Sequence, residues 1–158
     1  MGLFLFCFAF IFHSYSARNH LFYVSLHDVI KIFDMKKVIA TENAPKAVGP
    51  YSQAIEVDGT LYISGQIPVV PADGSIPENI ADQTRQSLKN IGAILAEAGM
   101  TYDNVVKTTV LLDDIANFKA MNDVYAEFFT ADKPARACYQ VVALPMGVKV
   151  EIEAVAAR

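Results

Sequence analysis

Hydrophobic and polar positions alternate in two runs near the end of the chain. From Pro134 to Gln140, Arg136, Cys138 and Gln140 fall on one face of an extended segment, while Ala135, Ala137, Tyr139 and Val141 take the other. From Val148 to Glu153, Val148, Val150 and Ile152, continued by Ala154, form an apolar row, and Lys149, Glu151 and Glu153 point away from it. The two runs are expected to pair as a closing hairpin, which would bring an arginine, a thiol and a carboxylate together on one sheet face.

Upstream, Lys37 to Ala40 predicts a short strand, followed by a Pro- and Gly-containing loop over residues 42–50. Residues 52–57 and 60–64 flank Asp58-Gly59, a strong hairpin signal. Residues 65–78 hold three prolines and Asp73-Gly74 and read as a long loop. Asn79 can cap a helix to Ala98, with Ile80, Thr84, Leu88, Ile91 and Leu95 on its inner side and Gly99 as its stop. Val105 to Leu112 suits a central strand. Asp114 can cap a second helix to about Phe129, with Ile115, Phe118, Met121, Val124, Tyr125 and Phe128 buried.

The order βββαβαββ predicts an α+β sandwich: an antiparallel-rich mixed sheet with both helices packed on one face. Arg136, Lys149, Glu151 and Glu153 are expected on the other face or at its margin, where an oligomer partner could bury them.

Composition separates the first 34 residues from the rest. Seven of the ten Phe and all three His lie before Met35. Met1 to Phe12 is apolar, but twelve residues make roughly 18 Å of helix against a hydrocarbon core of roughly 30 Å, so stable membrane insertion is not expected. Residues 1–34 read as an N-terminal extension, either an over-extended start upstream of Met35, the preferred reading, or a targeting segment. Residues 35–158 read as one domain.

Arg18 and Lys31 balance Asp28 and Asp34, so residues 35–158 keep 11 basic and 15 acidic residues and the whole net charge of −4. Such a body lacks the basic excess of a nucleic-acid binder. Cys7 and Cys138 are the only cysteines, and no CxxC pair is present. This usage is compatible with a reducing, cytoplasmic location. The absence of histidine from the body excludes Ser-His-Asp and Cys-His nucleophile systems and an HExxH metal site there.

Arg136 can hold a carboxylate through two parallel charge-assisted bonds, and Glu151 can orient or deprotonate water. From alternation alone, an ion pair of Arg136 with Glu151 or Glu153 is the leading alternative. Cys138 has no histidine to activate it and suits a pocket wall. Tyr51, Ser64, Gly65 and Asn122 are not singled out by spacing; their ordinary reading is loop residues and a surface amide.

Taken together, Ile39-Ala40-Thr41-Glu42-Asn43-Ala44-Pro45, Gly49-Pro50-Tyr51-Ser52-Gln53-Ala54, Ser64-Gly65-Gln66-Ile67-Pro68, Val106-Lys107-Thr108-Thr109-Val110, Pro134-Ala135-Arg136-Ala137-Cys138 and Val150-Glu151-Ile152-Glu153 occur in an order that closely resembles the Rid (RidA, YjgF-like) family of reactive intermediate deaminases. The resemblance covers residues 35–158. It implies a chorismate-mutase-like fold, a homotrimer with clefts between subunits, and cofactor-independent hydrolysis of 2-imino acids and their enamines, such as 2-iminobutanoate and 2-iminopropanoate, to 2-oxo acids and ammonia.

The same resemblance implies Arg136 as the carboxylate clamp, Glu151 as the water-positioning group, and Cys138, Tyr51, Ser64, Gly65 and Asn122 as further pocket residues, some from an adjacent subunit. Two departures bear on the cleft rim: the segment between Phe129 and Pro134 is short for the family, and Val142 replaces a small or basic residue. The alternative function is a non-catalytic, small-carboxylate-binding or chaperone-like member. An RNA-cleaving activity has also been associated with the family, and the acidic, histidine-free body argues against it.

Overall fold

A computed structural model describes residues 36–158; the readings of residues 1–34 lie outside the described residues. Within them the chain forms β1 (Lys37–Ile39), β2 (Ala54–Val57), β3 (Thr60–Gln66), α1 (Ile80–Glu97), β4 (Val105–Leu112), α2 (Phe118–Phe128), β5 (Ala135–Gln140) and β6 (Val150–Ala157). The strands make one sheet in the order β1-β2-β3-β6-β4-β5. All neighbours are antiparallel except β4 and β5, the parallel pair joined through α2. This is the expected α+β fold with both helices on one sheet face.

The local signals act as their chemistry requires. Asp58 and Gly59 adopt φ of 49° and 73°, the left-handed pair of a tight hairpin turn. Asn79 caps α1, its Oδ1 accepting the Asp82 N–H at 2.9 Å, and Gly99 ends the helix at φ 69°. Leu88, Ile91, Ile94 and Leu95 are fully buried on α1, as are Leu61, Val110, Val150 and Ile152 on the sheet. Each such side chain contributes about 1.5–3 kcal/mol relative to exposure.

The closing hairpin does not form. β4 lies between β5 and β6: Arg136 pairs with Thr108 and Cys138 with Val110, whereas Glu151 pairs with Leu111. Strand alternation separates the two sides of each strand, but it neither chooses a strand's neighbours nor says which side of β5 faces the helices: Arg136 lies on the helix side, not on the face of Glu151. The α2 crossover returns the chain parallel to β4 at the sheet edge, and β6 then fills the slot between β3 and β4.

The second helix also differs from expectation. Asp114 does cap, accepting the Ala116 N–H at 2.8 Å, but the turn it starts is a 3-10 turn over Ile115–Asn117, and α2 follows at Phe118. Ile115 and Phe118 consequently stand exposed rather than in the core. β3 runs two residues beyond Ser64, through an irregularity between Ile63 and Gln66 opposite β6.

Candidate active site

The seven residues singled out above fall into two groups. In the first, Gly65 and Glu151 meet on the sheet face away from the helices. The alternation of β6 places Val150, Ile152 and Ala154 in the core and leaves Glu151 and Glu153 on the opposite side. The displaced register of Ser64 and Gly65 passes the backbone so close to Glu151 that a Cβ on Gly65 would overlap its Oε1.

Ser64 is held by two bonds, its Oγ donating to the Ser52 carbonyl at 2.7 Å and its N–H to the Gln53 carbonyl at 3.0 Å. Tyr51 precedes this segment. Its ring, with Gly65, lines a groove of about 260 Å³ whose other walls include Val48, Val70 and Met146. Glu151 is partly withdrawn from water, which holds its carboxyl above the usual range, and the neighbouring Glu153 charge adds in the same direction.

The second group lies on the helix side, at the edge strand. Because β4 and β5 are parallel and in register, Arg136 and Cys138 share the face of Thr108 and Val110. The guanidinium carbon of Arg136 lies 4.6 Å from the centroid of the Tyr125 ring and 5.7 Å from that of Phe118. The Tyr125 hydroxyl is 2.7 Å from the Thr108 hydroxyl, which fixes the ring beneath the cation.

Asn122, one turn before Tyr125, shares with Tyr125, Ala126, Lys133, Pro134 and Arg136 a recess of about 330 Å³. Cys138 packs against the core, and burial pushes its thiol pKa up despite the opposing pull of Arg136. It is therefore held as a neutral thiol, as a pocket wall requires.

Arg136 and Glu151 therefore do not share a face, contrary to the hairpin expectation. Two strand spacings, about 9–10 Å, and the thickness of the sheet separate them within one copy. Nor does Arg136 form the alternative structural ion pair: among the described residues its guanidinium has no carboxylate within 4.0 Å and no hydrogen-bond acceptor. What it has instead is an aromatic shelf, leaving its donor edges available to a ligand.

Phe118 and Tyr125 were read only as core positions. Their seven-residue spacing, which aligns them on one helix face beside the strand bearing Arg136, is the signal that could have marked them as a cation platform. No group of three or more His, Cys, Asp or Glu able to hold a metal ion occurs among the described residues.

The sequence model of the family described as Endoribonuclease L-PSP matches residues 41–158. The chain belongs to this family, that of the Rid proteins. It is 54% identical over 123 residues to a Bos taurus protein named 2-iminobutanoate/2-iminopropanoate deaminase, covering 77% of this chain and 90% of the relative. Among solved structures, a Yersinia pestis member of the Rid protein family, YyfA, is 52% identical with a TM-score of 0.76, covering 78% of this chain and 99% of that one. Escherichia coli TdcF with bound serine is 45% identical, also at a TM-score of 0.76, covering 77% and 98%. The mixed six-stranded sheet and its two helices are those of the Rid fold.

Proposed function

We propose that the protein is a 2-iminobutanoate/2-iminopropanoate deaminase, an enzyme that hydrolyses 2-imino acids and their enamine tautomers to 2-oxo acids and ammonia. The observation that carries this reading is the guanidinium of Arg136, unpaired among the described residues and lifted onto two rings at the mouth of a recess. Support comes from the 54% identical deaminase and from the TdcF structure holding serine, a small amino acid carrying the same carboxylate.

In this reading Arg136 clamps the substrate carboxylate by a fork of charge-assisted bonds, and Glu151 orients water toward the imine carbon. The carboxylate of Glu151 takes one proton from the water as its oxygen bonds to the imine carbon and passes it to the nitrogen, which receives the C=N π pair, giving a carbinolamine. It then relays the remaining hydroxyl proton to the nitrogen as the carbonyl forms, the C–N bond breaks and ammonia leaves. The products are the 2-oxo acid and ammonia, with no redox change. The raised proton affinity of Glu151 suits a group that accepts and then returns a proton. Asn122 and Cys138 wall the carboxylate side, and Tyr51, Ser64 and Gly65 the side of Glu151.

Because one copy places Arg136 and Glu151 on opposite sheet faces, the complete site takes one group from each of two subunits. The proposed assembly is a homotrimer with three such clefts. The uncovered sheet face carries Val38, Tyr62 and Tyr139, each more than half exposed, as an apolar surface for it.

Residues 35–158 would form the single deaminase domain, with residues 1–34 outside it. No described helix is long and apolar enough to cross a membrane, and the cytoplasm is the proposed location. The endoribonuclease of the family's description is disfavoured by the acidic, histidine-free body. Generating 2-iminobutanoate in situ and following ammonia release tests the activity. Wild type should accelerate release and Arg136→Ala should not; no acceleration by wild type would overturn the reading.

A further inference from the structure

Behind the Glu151 group lie four carboxamides almost wholly withdrawn from solvent: Gln53 is 6% exposed, Gln66 5%, Gln83 4% and Asn90 1%. Gln66 turns back on its own strand, its Nε2 donating to the Ser64 and Gly65 carbonyls at 3.0 and 3.4 Å, while the other three reach across to separate segments. None of these three belongs to the proposed ligand-binding set, yet each spends its polar atoms on an irregular segment leading to that set. Gln53 Oε1 accepts the Thr41 N–H at 2.7 Å, and its Nε2 donates among the carbonyls of Thr41, Ala44 and Pro45 at 3.1, 3.2 and 2.8 Å. This gathers the loop that ends at Tyr51.

Asn90 Nδ2 donates to the carbonyls of Ile67 and Val69, both at 3.0 Å, and its Oδ1 accepts from Gln86 Nε2 at 2.8 Å. That fixes the segment leaving Gly65. Gln83 Oε1 accepts the Lys149 N–H at 2.7 Å while its Nε2 donates to the Pro77 carbonyl at 2.7 Å. With the Lys149 carbonyl held by the Asp113 N–H at 3.1 Å, both backbone groups of the residue two before Glu151 are tied.

We infer that Gln53, Gln83 and Asn90 are positioning residues for the reaction, holding the backbone segments of Tyr51, Gly65 and Glu151 in mutual register. The inference rests on the proposed function. Only a carboxamide serves here. Its two ends donate and accept without charge, whereas an apolar residue leaves buried backbone groups unpaired and a carboxylate cannot donate to a carbonyl. Gln83 and Asn90, seven residues apart, lie on one face of α1, so a rigid helix forms the common frame for two of the three segments.

The kinetic signature separates positioning from bulk stability. Gln83→Leu should lower kcat by about tenfold or more through misplacement of Glu151, with a smaller change in KM. Gln53→Leu should mainly raise KM through the Tyr51 loop. Gln83→Glu can donate to Pro77 only when protonated, so its activity relative to wild type at the same pH should rise as pH falls. Asn104→Ala is the control. It removes a part-buried amide that donates to the Ala157 carbonyl at 3.1 Å, six residues along β6 from Glu151, and should cost stability with kcat and KM unchanged.

If Gln83→Leu and Gln53→Leu lose no more activity than Asn104→Ala at equal loss of melting temperature, or if kcat and KM shift alike in both, the positioning role is overturned. Should wild type show no imine turnover, it is the proposed function that fails. The inference is then decided by the titration of Glu151 followed by carboxyl NMR, which Gln83→Leu shifts if it positions Glu151 and leaves in place if it does not.

Discussion

At the scale of single residues, Arg136 is held, among the described residues, by rings rather than by a counter-ion. Its removal therefore strands no buried carboxylate, and Arg136→Ala should leave the melting temperature within a few degrees of wild type. Catalytic efficiency should nevertheless fall by about a hundredfold, the loss expected when a bidentate carboxylate contact of roughly 3 kcal/mol disappears. Arg136→Lys should recover little, because an ammonium offers no planar fork. Steady-state kinetics beside thermal melts check both statements.

Glu151 gives a prediction in pH. Its carboxyl pKa is raised above the ordinary value of 4.5, first by burial and then by Glu153, so the folded state binds the proton more tightly than the unfolded chain. This favours folding fully below 4.5 and is lost as pH rises through the folded-state value. Glu151→Gln removes the titration. The variant's melting temperature should gain on wild type as pH rises from 4.5 through the folded-state value, while its turnover collapses. A flat difference across that range would count against the buried placement.

Arg136, Glu151 and Cys138 could be named from the amino-acid order, and Tyr51, Ser64, Gly65 and Asn122 only through the family resemblance; the company of Arg136 could not be read at all. Arg136 and Glu151 stood out by strand phase, whereas the platform of Phe118 and Tyr125 depends on how α2 crosses β5.

At the scale of elements, the turn residues and helix limits were the most legible features. Asp58-Gly59, Asn79 and Gly99 each impose a local backbone geometry that needs no distant partner. Strand neighbours were the least legible, because hydrophobic alternation is satisfied equally by any partner that covers the same face. The supposed hairpin of β5 and β6 failed for this reason. The start of α2 failed more locally, since Asp114 caps a 3-10 turn as readily as an α-helical one.

Two glycines make the contrast testable. Gly59→Ala should cost about 1–2 kcal/mol by forcing a side chain into a left-handed turn, with KM unchanged at the distant site. Gly65→Ala should instead suppress turnover, because its new Cβ occupies the position of the Glu151 carboxylate. Denaturant melts and kinetics on the two variants should therefore separate in opposite senses.

At the scale of the whole molecule, the proposed division of the site between two subunits would make activity a property of the assembly. Arg136→Ala and Glu151→Gln subunits, each inactive alone, should regain turnover when unfolded together and refolded as mixed trimers. Random mixing of equal amounts leaves about one quarter of the clefts with both groups intact. Recovery near that fraction, with a native mass of three subunits, is the expected outcome; no recovery in mixed trimers would place the whole site within one copy.

The position of β6 has a consequence for how the chain is made. β6, which follows all the other described strands along the chain, is a central strand, lying between β3 and β4. Until it arrives, both flanking strands expose unpaired backbone edges and the inner face of α1 lacks Val150, Ile152 and Ala154. The nascent chain thus cannot complete its sheet on the ribosome while Val150–Ala157 remains in the exit tunnel. Termination before Val150 would yield a polypeptide with an open slot through its sheet, a substrate for chaperones and proteases rather than a shortened enzyme.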